Sequence, residues 1–162
     1  MEIVKADAGM ADAIAPLIAD FRVTLSSFRG VAAEPDIASG REEFIEFLEA
    51  GYPVYAAADG GELVGYVVCR TDGPCVWTEH LFVREEHRRR GVASMLFAKA
   101  EELAESMGGD TVFNFIHPNN ERIIGFLRSK GYTVLNLIEI RKPFVGETPS
   151  GTIKVGDNEF DY

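Results

Sequence analysis

The sequence predicts an α/β (α+β) domain with a mixed central sheet. Three observations favour this class: apolar residues recur at helical spacing in several segments, strand-like stretches lie between those segments, and three such stretches follow one another directly. Along the chain the predicted order is β-α-α-β-β-β-α-β-α-β. The length of 162 residues, of which 46% are hydrophobic, is enough to bury the core of one such domain.

The N-terminal part predicts one strand and two helices. Residues 2–6 read as the strand, and the helix that follows is expected to be kinked or delayed at Pro16. Ser39 and Glu42 match a capping box for the second helix, which Gly51 ends. The buried stripe of the first helix consists of Met10, Ile14, Leu17, Ile18 and Phe21.

Three strands are then expected to form a meander. They cover residues 53–58, 62–70 and 75–83 and are separated by turn-forming sequences rich in Asp and Gly. Cys69 and Cys75 flank the second turn, where a disulfide is geometrically conceivable. We expect two free thiols instead, because a reducing compartment disfavours the bond.

A long helix, a strand, a second helix and a last strand complete the predicted domain, which we place at residues 1–142. The first of these helices opens at residues 88–93 and ends at Gly108-Gly109. The strand covers residues 111–116, the second helix covers residues 119–130, and the apolar last strand covers residues 132–140.

Residues 143–162 are expected to form a C-terminal extension that begins with a linker. Residues 152–155 and 159–162 flank the turn sequence Gly156-Asp157-Asn158, so a hairpin and a frayed tail both remain open. An isolated hairpin is marginal in water, so an ordered one would pack on the domain body or on a second subunit. A homodimer is therefore one expectation.

Composition excludes several classes of function. The formal net charge of -10 and a pI of about 4.8 argue against a nucleic-acid partner, and they suit a cationic small molecule or peptide, although surface acid also serves solubility. No apolar run is long enough for a membrane span, and residues 1–7 lack a signal-peptide pattern, so we expect a cytoplasmic protein. Three histidines and two cysteines show no metal-ligand spacing, so no metal is expected.

The junction from Val83 to Ser94 carries the most specific functional signal. It joins a strand to a helix start, where unpaired backbone N–H groups and the helix dipole stabilise an anion. Gly91 and Ala93 leave the backbone accessible, and the arginines at 88, 89 and 90 add positive charge. Taken alone, three arginines are more often a solvated helix start; in this context they indicate a diphosphate ligand.

The pattern Arg88-x-x-Gly91-x-Ala93 resembles the pyrophosphate loop of the GNAT superfamily of acyl-CoA-dependent N-acyltransferases. The predicted element order is also similar to that family over about residues 1–142. The resemblance implies acetyl-CoA as co-substrate, with its pantetheine arm along the strand that ends at Val83. The implied coenzyme-binding residues are Leu81, Phe82, Val83, Arg88, Arg89, Arg90, Gly91, Val92, Ala93, Ser94 and Asn120.

Glu79 is the candidate catalytic base. A strand advances about 3.3 Å per residue, so Glu79 lies roughly 13 Å before Val83, near where the resemblance places the thioester. Its other interpretation is an exposed strand residue that pairs with a basic neighbour. His80 and His117 are lesser candidates, because a lone histidine in such positions is more often a hydrogen-bonded structural residue. His80 faces away from Glu79 in a regular strand, a parity that a bulge would break.

One position departs from the family pattern. Family members carry a tyrosine that protonates the leaving thiolate seven residues after the asparagine that Asn120 matches; here that position is Leu127, which cannot donate a proton. Solvent, another tyrosine such as Tyr132, or unaided thiolate departure remain open. The resemblance assigns oxyanion stabilisation to a backbone N–H of the strand around Leu81.

The sequence therefore predicts an N-acetyltransferase that acts by direct attack of a primary amine. Two alternatives stay open: a GNAT-fold module that binds acyl-CoA without turnover, which Leu127 favours, and a nucleic-acid binder that uses the basic loop. Residues 22–40, together with Phe21, are expected to line the acceptor side, with Phe28 and Arg29 among them. The identity of the acceptor does not follow from the sequence.

Overall fold

A computed structural model describes residues 1–149 and 151–161. It confirms the mixed α/β class and the order of all the predicted elements except the last strand of the domain. The elements are β1 (Glu2–Lys5), α1 (Ala11–Phe28), α2 (Ile37–Glu49), β2 (Val54–Asp59), β3 (Glu62–Asp72), β4 (Cys75–Val83), α3 (Val92–Ser106), β5 (Val112–Asn114), α4 (Glu121–Ser129), β6 (Thr152–Val155) and β7 (Asn158–Asp161).

The main sheet has the order β1-β2-β3-β4-β5, which confirms the meander. Its first three pairings are antiparallel and the fourth, between β4 and β5, is parallel. That parallel pairing lasts for three positions and ends where Thr78 lies opposite Asn114. The sheet is therefore continuous in its centre and open along part of β4.

Helices α1 and α2 cover one face of the sheet. Ile14, Leu17, Ile18 and Phe44 are fully buried there against Tyr66 and other sheet residues. The two helices lie so close that a Cβ on Gly40 would sit 2.5 Å from the Ala15 carbonyl oxygen. This packing fixes α1 over the half of the sheet that contains β3 and β4.

Three local predictions need correction. Helix α2 begins at Ile37, because the Asp36 carboxylate, and not Ser39, caps it by accepting the Ser39 N–H at 3.0 Å. Helix α1 starts before Pro16 and continues through it, so its start is not delayed. Helix α3 begins at Val92 rather than at residue 88, because Arg88 and Arg89 lie outside the α-region with Arg89 at φ 61°.

No strand forms between residues 132 and 140, so the predicted last strand is wrong. A strand exists only where a neighbour pairs with its backbone, and within the described ranges this segment pairs with none. Its apolar side chains are exposed, Val134 to 87%. The segment belongs to a second compact unit that begins at Phe126, whereas the first unit spans Met1–Gly125.

The C-terminal hairpin forms, with β6 and β7 paired in antiparallel register; Tyr162 lies outside the described residues. Cys69 and Cys75 are free thiols, as expected. Burial raises the pKa of Cys69 to about 12. None of the described helices combines the length and apolarity that a membrane crossing requires.

Candidate active site

Strand β4 contains a bulge at Glu79. His80 pairs with Val68 and Thr78 pairs with Cys69, so one step on β3 is matched by two on β4. His80 thus lies on the Val68 face of the sheet, and Glu79 bonds to Arg70, which shares that face because it is two residues from Val68. The bulge therefore turns Glu79 and His80 to the same face, which is the exception that the sequence left open.

Glu79 is held by an arginine that sequence reasoning missed. The Arg70 Nε donates to Glu79 Oε1 at 2.5 Å, and the two side chains are 30% and 27% exposed. The Arg70 guanidinium lies over the Trp77 ring at 4.4 Å and the Phe115 ring at 5.5 Å. The alternative interpretation of Glu79 as the partner of a basic neighbour thus describes a real contact. Only the pairing register reveals it, because Arg70 and Glu79 belong to different strands.

Among the residues that the structure describes, one edge of β4 has no strand partner beyond Thr78. The Arg84 N–H donates to the Val64 carbonyl of β3 at 2.9 Å. Because the backbone groups of successive residues point to alternate sides of a strand, those of Phe82, two residues before Arg84, also point toward β3. Leu81 and Val83 turn theirs toward the open edge. Of the three residues predicted to offer backbone groups to a ligand, Leu81 and Val83 are therefore placed to do so and Phe82 is not.

His80 lies in a buried polar chain. Its Nδ1 is 3.0 Å from the Tyr66 hydroxyl, and its Nε2 is 3.5 Å from Glu43 Oε1. The same Glu43 oxygen also forms an ion pair with Arg22. Burial, followed by the charge of Arg22, lowers the pKa of His80 to about 3. Burial also raises the pKa of Tyr66 well above its usual value, so the phenol stays protonated. With the imidazole proton on Nε2, which faces the Glu43 carboxylate, the Tyr66 O–H donates to Nδ1. With 6% exposure, His80 is a structural residue in this arrangement rather than an accessible base.

His117 joins the loop after β5 to the end of α1. Its ring stacks on Phe28 at 5.8 Å, and the Asn119 side chain donates to the Phe28 carbonyl at 2.9 Å. Burial, and then the charge of Arg29, lower the pKa of His117 below its usual value. Phe28 and Arg29, which were expected on the acceptor side, thus lie beside the place where β4 and β5 separate.

The loop before α3 presents a row of unpaired amides. Arg89 and Gly91 both have left-handed backbones, with φ of 61° and 82°, and Gly91 precedes the helix without a side-chain cap. Among the described residues, none of the six backbone N–H groups from Arg89 to Ser94 donates a hydrogen bond. Consecutive unpaired amides at a helix start form an anion-binding concavity. Val92 and Ala93 are in the middle of this row.

The three arginines of the loop have different roles. Arg88 is 25% exposed, and its Nε donates to the Val83 carbonyl at 2.8 Å. Burial, followed by the nearby charge of Arg122, lowers the pKa of Arg88. Arg90 is engaged by Asp59 at 3.0 Å, whereas Arg89 forms no ion pair among the described residues. Arg122 is a further cation near Arg88, and no motif in the sequence identifies it.

Asn120 directly precedes α4, and Leu127 lies within it. The Asn120 side chain accepts the Ile123 N–H at 3.2 Å and thus caps this helix, and Leu127 is buried. In the part of the chain that the structure describes, no three His, Cys, Asp or Glu side chains are grouped to hold a metal ion.

Comparisons with known proteins agree with this geometry. Residues 20–132 match the sequence model of the acetyltransferase (GNAT) family. A mutant of the protein BH1408 from Bacillus halodurans has a TM-score of 0.73 at 18% identity, over 89% of this chain and 99% of that one. An aminoglycoside antibiotic 6'-N-acetyltransferase from Acinetobacter haemolyticus has a TM-score of 0.66 at 19% identity, over 89% and 99%.

The PaiA N-acetyltransferase from Thermoplasma acidophilum, in complex with coenzyme A, has a TM-score of 0.67 at 15% identity, over 80% of this chain and 87% of that one. At these identities the likeness establishes the fold.

Proposed function

This chain belongs to the acetyltransferase (GNAT) family, and from that premise we propose that it moves the acetyl group of acetyl-CoA to a primary amine of a small molecule or peptide by direct attack. The observation that carries the proposal is the row of six unpaired amides at 89–94 together with the open edge of β4, the strand that precedes this row in the chain. A diphosphate fits the first feature, and an extended amide-bearing arm fits the second.

The residues proposed to hold the coenzyme follow from this geometry. The amides from Arg89 to Ser94 and the Arg88 side chain bind the pyrophosphate, and the backbone of Leu81 and Val83 binds the arm. Asn120, which caps α4, stays in the proposal as a polar group near Arg122. When bound, acetyl-CoA supplies an acyl thioester.

Glu79 is proposed as the base that receives the proton of the amine. The ammonium gives one proton to Glu79, and the neutral amine then attacks, so that a new N–C bond forms while the C–S bond breaks. The second proton, lost from nitrogen as the amide forms, passes through solvent to the departing thiolate, and no redox change occurs. At neutral pH a lysine-like ammonium with a pKa of about 10.4 must be deprotonated, at a free-energy cost of roughly 4 to 5 kcal/mol. The second carboxylate oxygen of Glu79 has no hydrogen bond among the described residues, so it can accept that proton.

The test is to separate coenzyme binding from turnover. We expect Glu79→Gln to lower kcat by about a hundredfold or more, measured as thiol release with mixed amines, while calorimetry shows acetyl-CoA binding unchanged. Glu102→Gln, which removes a carboxylate paired with Lys99 on α3, is the matched control and should keep its activity. Absence of any heat on titration with acetyl-CoA would refute the proposed site.

The second candidate function is an acyl-CoA-binding module without turnover. It is favoured by the engagement of Glu79 with Arg70 and by Leu127 at the position where the family carries a tyrosine. It predicts coenzyme binding without thiol release for every amine. The alternative of a nucleic-acid binder loses support, because Arg90 is already paired with Asp59. Cytoplasmic location and a homodimer stay predictions.

A further inference from the structure

We propose that the acceptor is a zwitterion, an amine with a carboxylate close to it, of which a free α-amino acid is the simplest example. This inference rests on the proposed function and names the substrate class of that site. It starts from the Arg70–Glu79 pair, whose two charges lie next to each other on the sheet face where the strands separate.

Each member of this pair uses only part of its bonding capacity. The contact joins Arg70 Nε to one oxygen of Glu79, and among the described residues neither the two terminal nitrogens of Arg70 nor the other Glu79 oxygen has a hydrogen-bond partner. Trp77 and Phe115 keep the guanidinium plane in place from its face and leave its edge for a ligand. An ammonium can bind Glu79 while a carboxylate binds Arg70.

The charges around the opening distinguish a zwitterion from a polycation. Glu43 is paired with Arg22, Glu79 is paired with Arg70, and Arg29 has no ion pair among the described residues. Both of these carboxylates already have a cationic partner, so a ligand with several positive charges meets no unpaired carboxylate among these residues. A zwitterion brings its own counter-charge, and its binding leaves no buried charge without a partner.

The first experiment compares three acceptors that share one side chain: phenylalanine, phenylalanine amide and phenethylamine, with spermidine as the polycation. We expect kcat/KM for the free acid to exceed that of the amide and of phenethylamine by about tenfold or more, because each loses a charge-assisted bond. The amide has the less basic amine, so amine protonation cannot explain an advantage of the acid.

The second experiment tests Arg70 itself. Arg70→Gln should abolish the preference for the acid mainly through a higher KM, and Arg70→Lys should keep part of it. Arg41→Gln, which breaks the surface pair with Asp12, is the control and should leave the preference unchanged. If Arg70→Gln does not fold, the Lys variant and the comparison of acceptors on the unmodified protein still decide the question.

Equal rates for acid and amide, faster turnover of spermidine, or an acid preference that survives in Arg70→Gln would each overturn the inference while leaving the proposed function intact. Thiol release with none of these amines, despite acetyl-CoA binding, would overturn both and leave the coenzyme-binding module.

Discussion

The surroundings of His80 and the loop before α3 differ in whether their polar groups have hydrogen-bond partners within the protein. Around His80, the Tyr66 hydroxyl, the imidazole and the Glu43 carboxylate satisfy one another inside the protein. In the loop, six backbone N–H groups in a row have no partner among the described residues. A buried polar group without a partner costs free energy, so a closed set indicates a structural role and an open set at the surface indicates a ligand.

The largest expected effect concerns the pH dependence of stability. His80 has a pKa of about 3 when folded, below its ordinary 6.5, so the unfolded chain takes up the proton first. The contribution of His80 to the free energy of unfolding is complete above pH 6.5. It is lost as the pH falls toward 3, at roughly 1.4 kcal/mol per pH unit. Urea unfolding at a series of pH values should show this slope, and His80→Gln should flatten it. Equal slopes in both proteins would contradict the closed chain.

Removing one hydroxyl from the closed chain should lower stability without touching coenzyme binding. Tyr66→Phe leaves the His80 Nδ1 without its donor, and we expect about 1 to 3 kcal/mol lower free energy of unfolding. Tyr55→Phe, on the neighbouring strand β2, is the control and should change it by less than about 0.5 kcal/mol. A weakened affinity for acetyl-CoA in Tyr66→Phe would mean that the two regions are not separate.

Two glycines at the ends of α3 allow a test of coenzyme binding at equal cost in stability. Gly91 and Gly108 have nearly the same φ, 82° and 83°, and both have open space where a Cβ would lie. Alanine at either position should cost about 1 kcal/mol of stability through backbone strain. Only Gly91→Ala should also weaken acetyl-CoA binding, by about tenfold, because only Gly91 lies among the unpaired amides. Calorimetry on the two variants measures this, and equal affinities would count against the loop as the binding site.

The smallest expected effect separates the arginines of the loop. Arg88→Gln should weaken coenzyme binding by about fivefold, whereas Arg90→Gln should change it less than about twofold, since Asp59 already neutralises Arg90. The difference should shrink as salt is added, because both side chains are partly exposed. Identical losses in the two variants would show that general positive charge, rather than position, matters.

Local chemistry explains why most of the fold followed from the sequence. The turn at Gly73, the stop at Gly108 and the stripe of α1 are each determined within a few residues. The partner of Glu79 was not predictable in the same way, because Arg70 lies on the adjacent strand and meets Glu79 only through the bulge in the pairing of β3 with β4. The last predicted strand failed for a related reason: apolar, β-branched residues at 132–140 favour a strand, but only a neighbouring backbone can form one.

The parallel pairing of β4 with β5 lasts three rungs and stops at Asn114. A pairing that continued past Leu81 to Val83 would occupy the backbone groups that now face outward, and no change of side chain could then restore access to them. The capacity of this scaffold to hold an extended ligand therefore depends on where the pairing of β4 with β5 ends, and at that last pair the Thr78 hydroxyl donates to the side-chain carbonyl of Asn114.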